Sequence, residues 1–262
     1  MKIGFIGAGK MASALMKSAL RAKLVKKQDM IASDRSIEQL NRIRKDLGVN
    51  ITSSNQEVIN FSDVVVLCVK PQDIEAALNN IKTKKKLFVS IAAGIRLKKL
   101  ESLVGGRVVR VMPNTPCLVG AMAAGFTPGK FVGKKDIVMV NQILNTGGIA
   151  VQVAEKDLDA ITGLSGSGPA FVAFLIQSFI NGGIKQGLSE ETAKIVTIQT
   201  FFGTALLLRE TELSTKELIE MVSSPGGTTV AGRKILEESD LKEIIERTVD
   251  HATKRSKELG NE

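Results

Sequence analysis

Near the start of the chain, Gly7-Ala8-Gly9-Lys10-Met11-Ala12 follows an apolar run, Lys2 to Ile6, and opens a segment of helical spacing, Met11 to Ala22. A strand, a glycine-rich turn and a helix in that order make the fingerprint of a dinucleotide-binding βαβ unit, here with alanine in the third glycine position. Gly7 permits the tight turn, Gly9 lets the backbone approach a phosphate, and the small Ala12 lets helix and sheet pack closely. The N-terminus of the helix presents unpaired N–H groups and partial positive charge to a pyrophosphate.

The residues that follow keep the same period. Met30–Ser33, 49–52, 63–69, 87–91 and 108–112 read as strands, with a helix over Ile37–Leu47. A helix over 134–144 and a strand over 149–153 close the pattern. Near-continuous Val, Ile and Leu runs are what a parallel sheet covered on both faces requires. The expectation is a doubly wound, mostly parallel Rossmann-type sheet over residues 1–153.

After Glu155 helical periods take over. Residues 169–180 are apolar on nearly every side, which predicts a helix buried in a core or an interface. Ser167 is expected as its N-cap, with Pro169 in the first turn. Further helices are expected over 190–209, with Ser189 as N-cap, and over 236–259. Residues 154–262 are therefore expected to form a helical domain that self-associates.

The uncharged stretch from Ala160 to Ile184 has the length of a membrane span, but glycines, Pro169 and Asn181 interrupt it, so a buried helix is expected instead. The chain carries 36 Lys and Arg against 27 Asp and Glu, a net charge of +9. These charges are spread along the chain apart from Lys84-Lys85-Lys86, and there is no Trp or Tyr to stack bases, so a solvated surface is expected rather than a nucleic-acid site. A positive field favours an anionic cofactor and substrate. The two cysteines, Cys68 and Cys117, form no disulfide framework, which points to a reducing, cytoplasmic setting. Cys68 reads as a core residue, and no metal-ligand set is visible.

The second strand ends at Ser33-Asp34-Arg35, where such folds read the adenosine ribose. A strand ending at Ser33 sets Ser33 and Arg35 at a 2′-phosphate with Asp34 pointing away, whereas one residue more sets Asp34 at a 2′-hydroxyl. The first arrangement favours NADPH, the second NADH, and both stay open beside plain solvated turn charges, with NADPH preferred. Lys70, expected at the end of the fourth strand, lies on the ligand-binding side of the sheet.

Four more segments narrow the reading: Val69-Lys70-Pro71-Gln72, residues 111–116 (Val-Met-Pro-Asn-Thr-Pro), residues 164–170 (Leu-Ser-Gly-Ser-Gly-Pro-Ala) and Ser224-Pro225-Gly226-Gly227-Thr228-Thr229. With the N-terminal loop, their order and spacing resemble the pyrroline-5-carboxylate reductases over nearly the whole chain. The resemblance implies reduction of 1-pyrroline-5-carboxylate to L-proline, with hydride passing from nicotinamide C4 to the imine carbon. It implies nucleotide contacts at Ile6, Gly7, Ala8, Gly9, Lys10, Met11, Ser33, Asp34, Arg35, Asn55, Val69, Lys70, Pro71 and Ala93. It implies substrate contacts at Glu155, Ser224, Gly226, Gly227, Thr228 and Thr229, and an interlocked dimer.

The residues themselves suit such a substrate. Two glycines let backbone amides converge on a carboxylate, and the helix that follows adds its N–H groups and two hydroxyls. The helix dipole contributes only about 0.3–1 kcal/mol at an exposed site, so hydrogen bonds must supply the rest. The Thr229 hydroxyl is the candidate partner of the imine nitrogen. An imine that arrives protonated needs no strong general acid, and the single histidine, His251, lies far from every motif. Glu155 reads equally as a group orienting the ring nitrogen and as a surface acid at a helix start. The alternatives are another imine or hydroxyacid reductase on the same frame, or a non-catalytic NADP-binding protein.

Overall fold

The computed structural model describes residues 1–79, 81, 83 and 85–260, so Lys84 of the basic run lies outside the described residues. β1 (Ile3–Ile6) leads through α1 (Lys10–Arg21) to β2 (Met30–Ser33), and α2 (Ile37–Leu47) to β3 (Asn50–Thr52). α3 (Asn55–Phe61), β4 (Val64–Leu67), α4 (Ile74–Ala77), β5 (Leu87–Ser90), α5 (Leu97–Val104) and β6 (Arg107–Met112) continue the alternation. β7 (Met122–Pro128), α6 (Lys134–Asn145) and β8 (Gly148–Gln152) complete it.

The strands form one sheet in the order β3-β2-β1-β4-β5-β6-β7-β8. All neighbours run parallel except β6 and β7, which pair antiparallel from Val109 opposite Pro128 to Met112 opposite Gly125. β7 has no counterpart in the sequence reading. Its Ala-Ala-Gly centre has low strand propensity, and pairing on both edges rather than side-chain preference holds it in the sheet.

The side chains of β1 alternate between two cores. Ile3 and Phe5 pack with Leu15, Met16, Leu40 and Ile143 from α1, α2 and α6. Ile6 packs with Val58, Ile74 and Leu100 from α3, α4 and α5. Burial on both faces explains the unbroken Val64-Val65-Val66-Leu67 run of β4. Each such side chain removed from water contributes roughly 1.5–3 kcal/mol. α2 begins where Ser36 Oγ accepts from Gln39 N and stops at Gly48, whose left-handed backbone ends the helix.

The chain divides into two compact units, residues 1–167 with the end of the chain from Asp250, and residues 168–249. This differs from the division expected at 153/154. α7 (Leu158–Ile161) belongs with the sheet because Leu158 and Ile161 lie over Gly125 of β7. The last turns of the chain join it there: Asp159 accepts a hydrogen bond from Ser256 at 2.8 Å and pairs with Arg96 at 3.0 Å.

The second unit is helical, with α8 (Gly168–Lys185), α9 (Glu190–Thr211), α10 (Thr215–Met221), α11 (Thr228–Glu237) and the start of α12 (Leu241–Leu259). Ser189 caps α9 by accepting from Thr192 N at 3.2 Å. Two expectations need correction. The helix expected over 236–259 is two helices. Ser239 separates them, taking a bond from Leu241 N that starts the second. Ser167 caps nothing, for its backbone is helical and its N–H donates to Thr162 O at 2.8 Å, closing a π-helical segment over Thr162–Gly166. Within the single chain α8 is largely exposed, with Ile180 its one buried residue and Phe174 74 % exposed, so of the two settings expected for it the core is excluded and the interface is left. By length and composition alone, the helical stretch Glu155–Lys185 is apolar enough to cross a membrane.

Candidate cofactor cleft and substrate turn

β1 lies between β2 and β4, and this is where the strand order reverses. Doubly wound sheets bind ligands at such a switch point, beyond the carboxyl ends of the strands. A cleft of about 580 Å³ lies there, lined by Ile6, Gly7, Gly9, Ser33, Asp34, Arg35, Asn55, Val69 and Lys70, all expected, and by Cys68, Gln72, Asp73, Ala76 and Ala77. Its size is ordinary for a small-molecule site. Ala8, Lys10, Met11, Pro71 and Ala93 are outside this lining. Ala8 is buried, Met11 packs on the core, and Lys10, Pro71 and Ala93 are exposed. Lys70 stands beyond the end of β4, at the start of a 3-10 turn over Pro71–Asp73.

The loop geometry follows from Gly7. Its φ is +97°, and a Cβ there would sit 2.8 Å from the backbone carbon of Cys68. Gly7 N donates to Ser33 O and Cys68 N to Ile6 O, both at 2.8 Å, so the loop is tied to its neighbouring strand ends. A Cβ on Gly9 would meet nothing within 4 Å, so that backbone faces open space. α1 carries no side-chain cap and no acid in its first turn, which leaves its first N–H groups available to an anion. A pyrophosphate fits this cradle.

At the ribose end, Ser33 is buried and its Oγ donates to Asn55 Oδ1 at 2.7 Å, while Asn55 Nδ2 donates to Ala77 O at 3.1 Å. β2 ends at Ser33, but Asp34 does not point away. Its carboxylate turns back onto the glycine loop, accepting from Ala8 N at 2.7 Å and from Ser36 N at 2.9 Å. The reason is the inward-facing Ala8 N–H, which needs an acceptor. Arg35 extends into solvent and meets Asp73 at 2.9 Å. Cys68 is half-buried, packed against the core on one side and lining the cleft on the other. Burial pushes its thiol up, and that of Cys117 up to about 11, so neither is a ready nucleophile.

Glu155 opens a 3-10 turn, part exposed as a helix-start acid, and has a further occupation. Its Oε1 accepts from Leu97 N at 2.7 Å, capping α5, and from Arg110 at 3.2 Å. Arg110 is 4 % exposed on β6. Desolvation draws its pKa down and Glu155 opposes that shift. Oε1 thus serves a structural network that joins the start of α5 to β6. Asn114 likewise pins the chain after β6, with Nδ2 donating to Ser165 O and Oδ1 accepting from Ala123 N.

The Ser224–Thr229 turn belongs to the helical unit. Gly226 has φ +71°, and Gly227 N donates to Ser224 O at 2.9 Å. Gly227 is the N-cap of α11, and a Cβ there would fall 2.6 Å from Ser224 Oγ. No side chain caps α11 and no acid lies in its first turn. Thr228 and Thr229 are exposed as its first two residues. The turn thus presents backbone N–H groups and two hydroxyls outward, the set a carboxylate requires.

Comparison with known proteins identifies the family. A family model described as pyrroline-5-carboxylate reductase dimerisation matches residues 155–259, and one described as NADP oxidoreductase coenzyme F420-dependent matches residues 2–94. The pyrroline-5-carboxylate reductase of Methanosarcina acetivorans is 42 % identical, over 99 % of this chain and 98 % of its own. That of Arabidopsis thaliana is 37 % identical over 99 % and 95 %.

The chain belongs to the pyrroline-5-carboxylate reductase family.

Solved structures of the family superpose over the full length. The Plasmodium falciparum pyrroline carboxylate reductase, solved with NADP bound, aligns with a TM-score of 0.88 and 37 % identity, covering 99 % of this chain and 98 % of its own. The Coxiella burnetii pyrroline-5-carboxylate reductase gives 0.92 and 34 %, covering 98 % of each chain. Within this family, β7, the Arg110–Glu155 pair and Asp73 are the parts of the present reductase that sequence reasoning missed. A charged residue inside the apolar Val108–Met112 run was the one available signal.

Proposed function

We infer that this chain reduces 1-pyrroline-5-carboxylate to L-proline with NADPH, the last step of proline biosynthesis. The observation that carries the reading is the Gly226-Gly227-Thr228-Thr229 turn, intact at an uncapped helix start in a chain matched end to end by reductases. The bound dinucleotide supplies hydride from nicotinamide C4 to the imine carbon. The glycine loop and the start of α1 hold the pyrophosphate. Ser33, Asn55, Arg35 and Lys70 line the cleft, and the first three are assigned to the ribose 2′-position on the pattern of such folds. In the helical unit, the amides of Gly227 to Thr229 and the Thr228 hydroxyl hold the substrate carboxylate. The Thr229 hydroxyl hydrogen-bonds the ring nitrogen. Because the protonated imine already carries its proton, the chain positions it without a strong acid.

The apolar faces of α8 and α9 are covered by a second copy of the chain, a reading supported by the dimerisation model over the same residues. Two free cysteines accord with a cytoplasmic setting. The deciding assay follows NADPH oxidation with pyrroline-5-carboxylate, pyrroline-2-carboxylate and a 2-keto acid in parallel. Turnover is expected with the first. Turnover with the 2-keto acid alone overturns the reading.

A further inference from the structure

The mouth of the cleft carries four charged side chains, Asp34, Arg35, Lys70 and Asp73. Both carboxylate oxygens of Asp34 accept from backbone N–H groups, which hold it against the glycine loop and away from Arg35 as an ion-pair partner. The other carboxylate among the residues lining the cleft is Asp73, and it holds Arg35. The pair joins the turn after β2 to the turn after β4 across the place where the ribose 2′-substituent would lie. Arg35 is 85 % exposed and Asp73 27 % exposed.

We propose that Asp73 is a specificity-determining residue that moderates the preference for a 2′-phosphorylated dinucleotide by competing for Arg35. The proposal rests on reading the cleft as a nicotinamide-dinucleotide site. A 2′-phosphate carries close to two negative charges and seeks the guanidinium fork. It must either draw Arg35 off Asp73 or accept a carboxylate beside it. Solvent-exposed ion pairs are weak, so the exchange is feasible, but it subtracts from NADPH affinity. NADH asks for no exchange. With Arg35 neutralised by Asp73, the mouth admits a ribose bearing only hydroxyls. The pair thus narrows the gap between the two cofactors, and Asp73 sets its width.

The test is a fluorescence titration of NADPH and NADH into the full-length protein, its Asp73→Asn and Arg35→Ala variants, and the double variant. Asp73→Asn is expected to tighten NADPH about threefold or more at low ionic strength, leaving NADH within about twofold. Arg35→Ala is expected to weaken NADPH, and Asp73→Asn to have no effect in the Arg35→Ala background. The proposal is overturned if Asp73→Asn weakens NADPH, shifts both cofactors equally, changes neither, or acts undiminished without Arg35. A native protein that binds neither dinucleotide defeats the cofactor reading itself, and with it the proposal. A native protein that binds both, with an unresponsive Asp73→Asn, defeats the proposal alone.

Discussion

Two residues decide most at the smallest scale. Gly7 occupies a backbone region that side-chain-bearing residues avoid, and a Cβ there would press on Cys68 backbone atoms that cannot move without shifting β4. Gly7→Ala is expected to cost about 1–3 kcal/mol from backbone strain. It should also push the loop off its pyrophosphate position. Thermal melting and NADPH titration read the two effects separately, and unchanged affinity would show that the loop is not the cradle. Thr229 is the second. It is exposed, makes no capping bond, and is not needed for α11 to form. Thr229→Val keeps the shape and removes the hydroxyl, so stability should hold while kcat/KM falls at least about tenfold, equivalent to ~1.4 kcal/mol. Loss confined to stability would return Thr229 to a structural role.

Among elements, β6 carries the network that joins α5 and α7 to the sheet. Arg110 is buried there with Glu155 as its partner, and Glu155 also supplies the missing cap of α5. Removing one member of a buried pair typically costs about 3–5 kcal/mol. Glu155 keeps 31 % of its side-chain surface, so solvent screens part of this and about 1–2 kcal/mol is expected for Glu155→Gln. Urea unfolding should show the lower midpoint, with kcat/KM nearly unchanged in the native range. A fall in kcat at unchanged stability would instead place Glu155 at the reacting atoms. This network also marks the limit of what was legible in the sequence. Strands β1 to β6 and the glycine loop were readable because their signals are local: alternating period, apolar runs, glycine where φ is positive. The orientation of Asp34 stayed open in the sequence because it depends on the Ala8 N–H, distant in the chain. β7 was missed because its partners, not its residues, make it a strand. Asp73 carried no local signal at all, since only the return of the chain after β4 brings it to Arg35.

On the scale of the whole molecule, the helical unit leaves unusual amounts of apolar surface uncovered. Phe174 and Phe179 on α8 are 74 % and 58 % exposed, and Ile195 and Phe202 on α9 are each 60 % exposed. Monomeric proteins rarely tolerate large contiguous apolar patches. The same length and composition that qualify Glu155–Lys185 as a membrane span therefore have a second explanation, burial against another copy. A two-fold interface uses each residue twice, so one substitution is felt twice per dimer. Burying an aromatic side chain contributes roughly 1.5–3 kcal/mol, and Phe174→Asp or Phe202→Asp would lose about twice that per dimer. Such a loss weakens association by ~100-fold or more. Sedimentation velocity at micromolar concentration should show the native chain as a dimer or larger, and the variants shifted toward monomer. The sheet unit lies outside these substitutions, so NADPH affinity is expected to persist in the variants. A native chain that sediments as a monomer, or variants indistinguishable from it, would remove the second copy as the cover of α8 and α9.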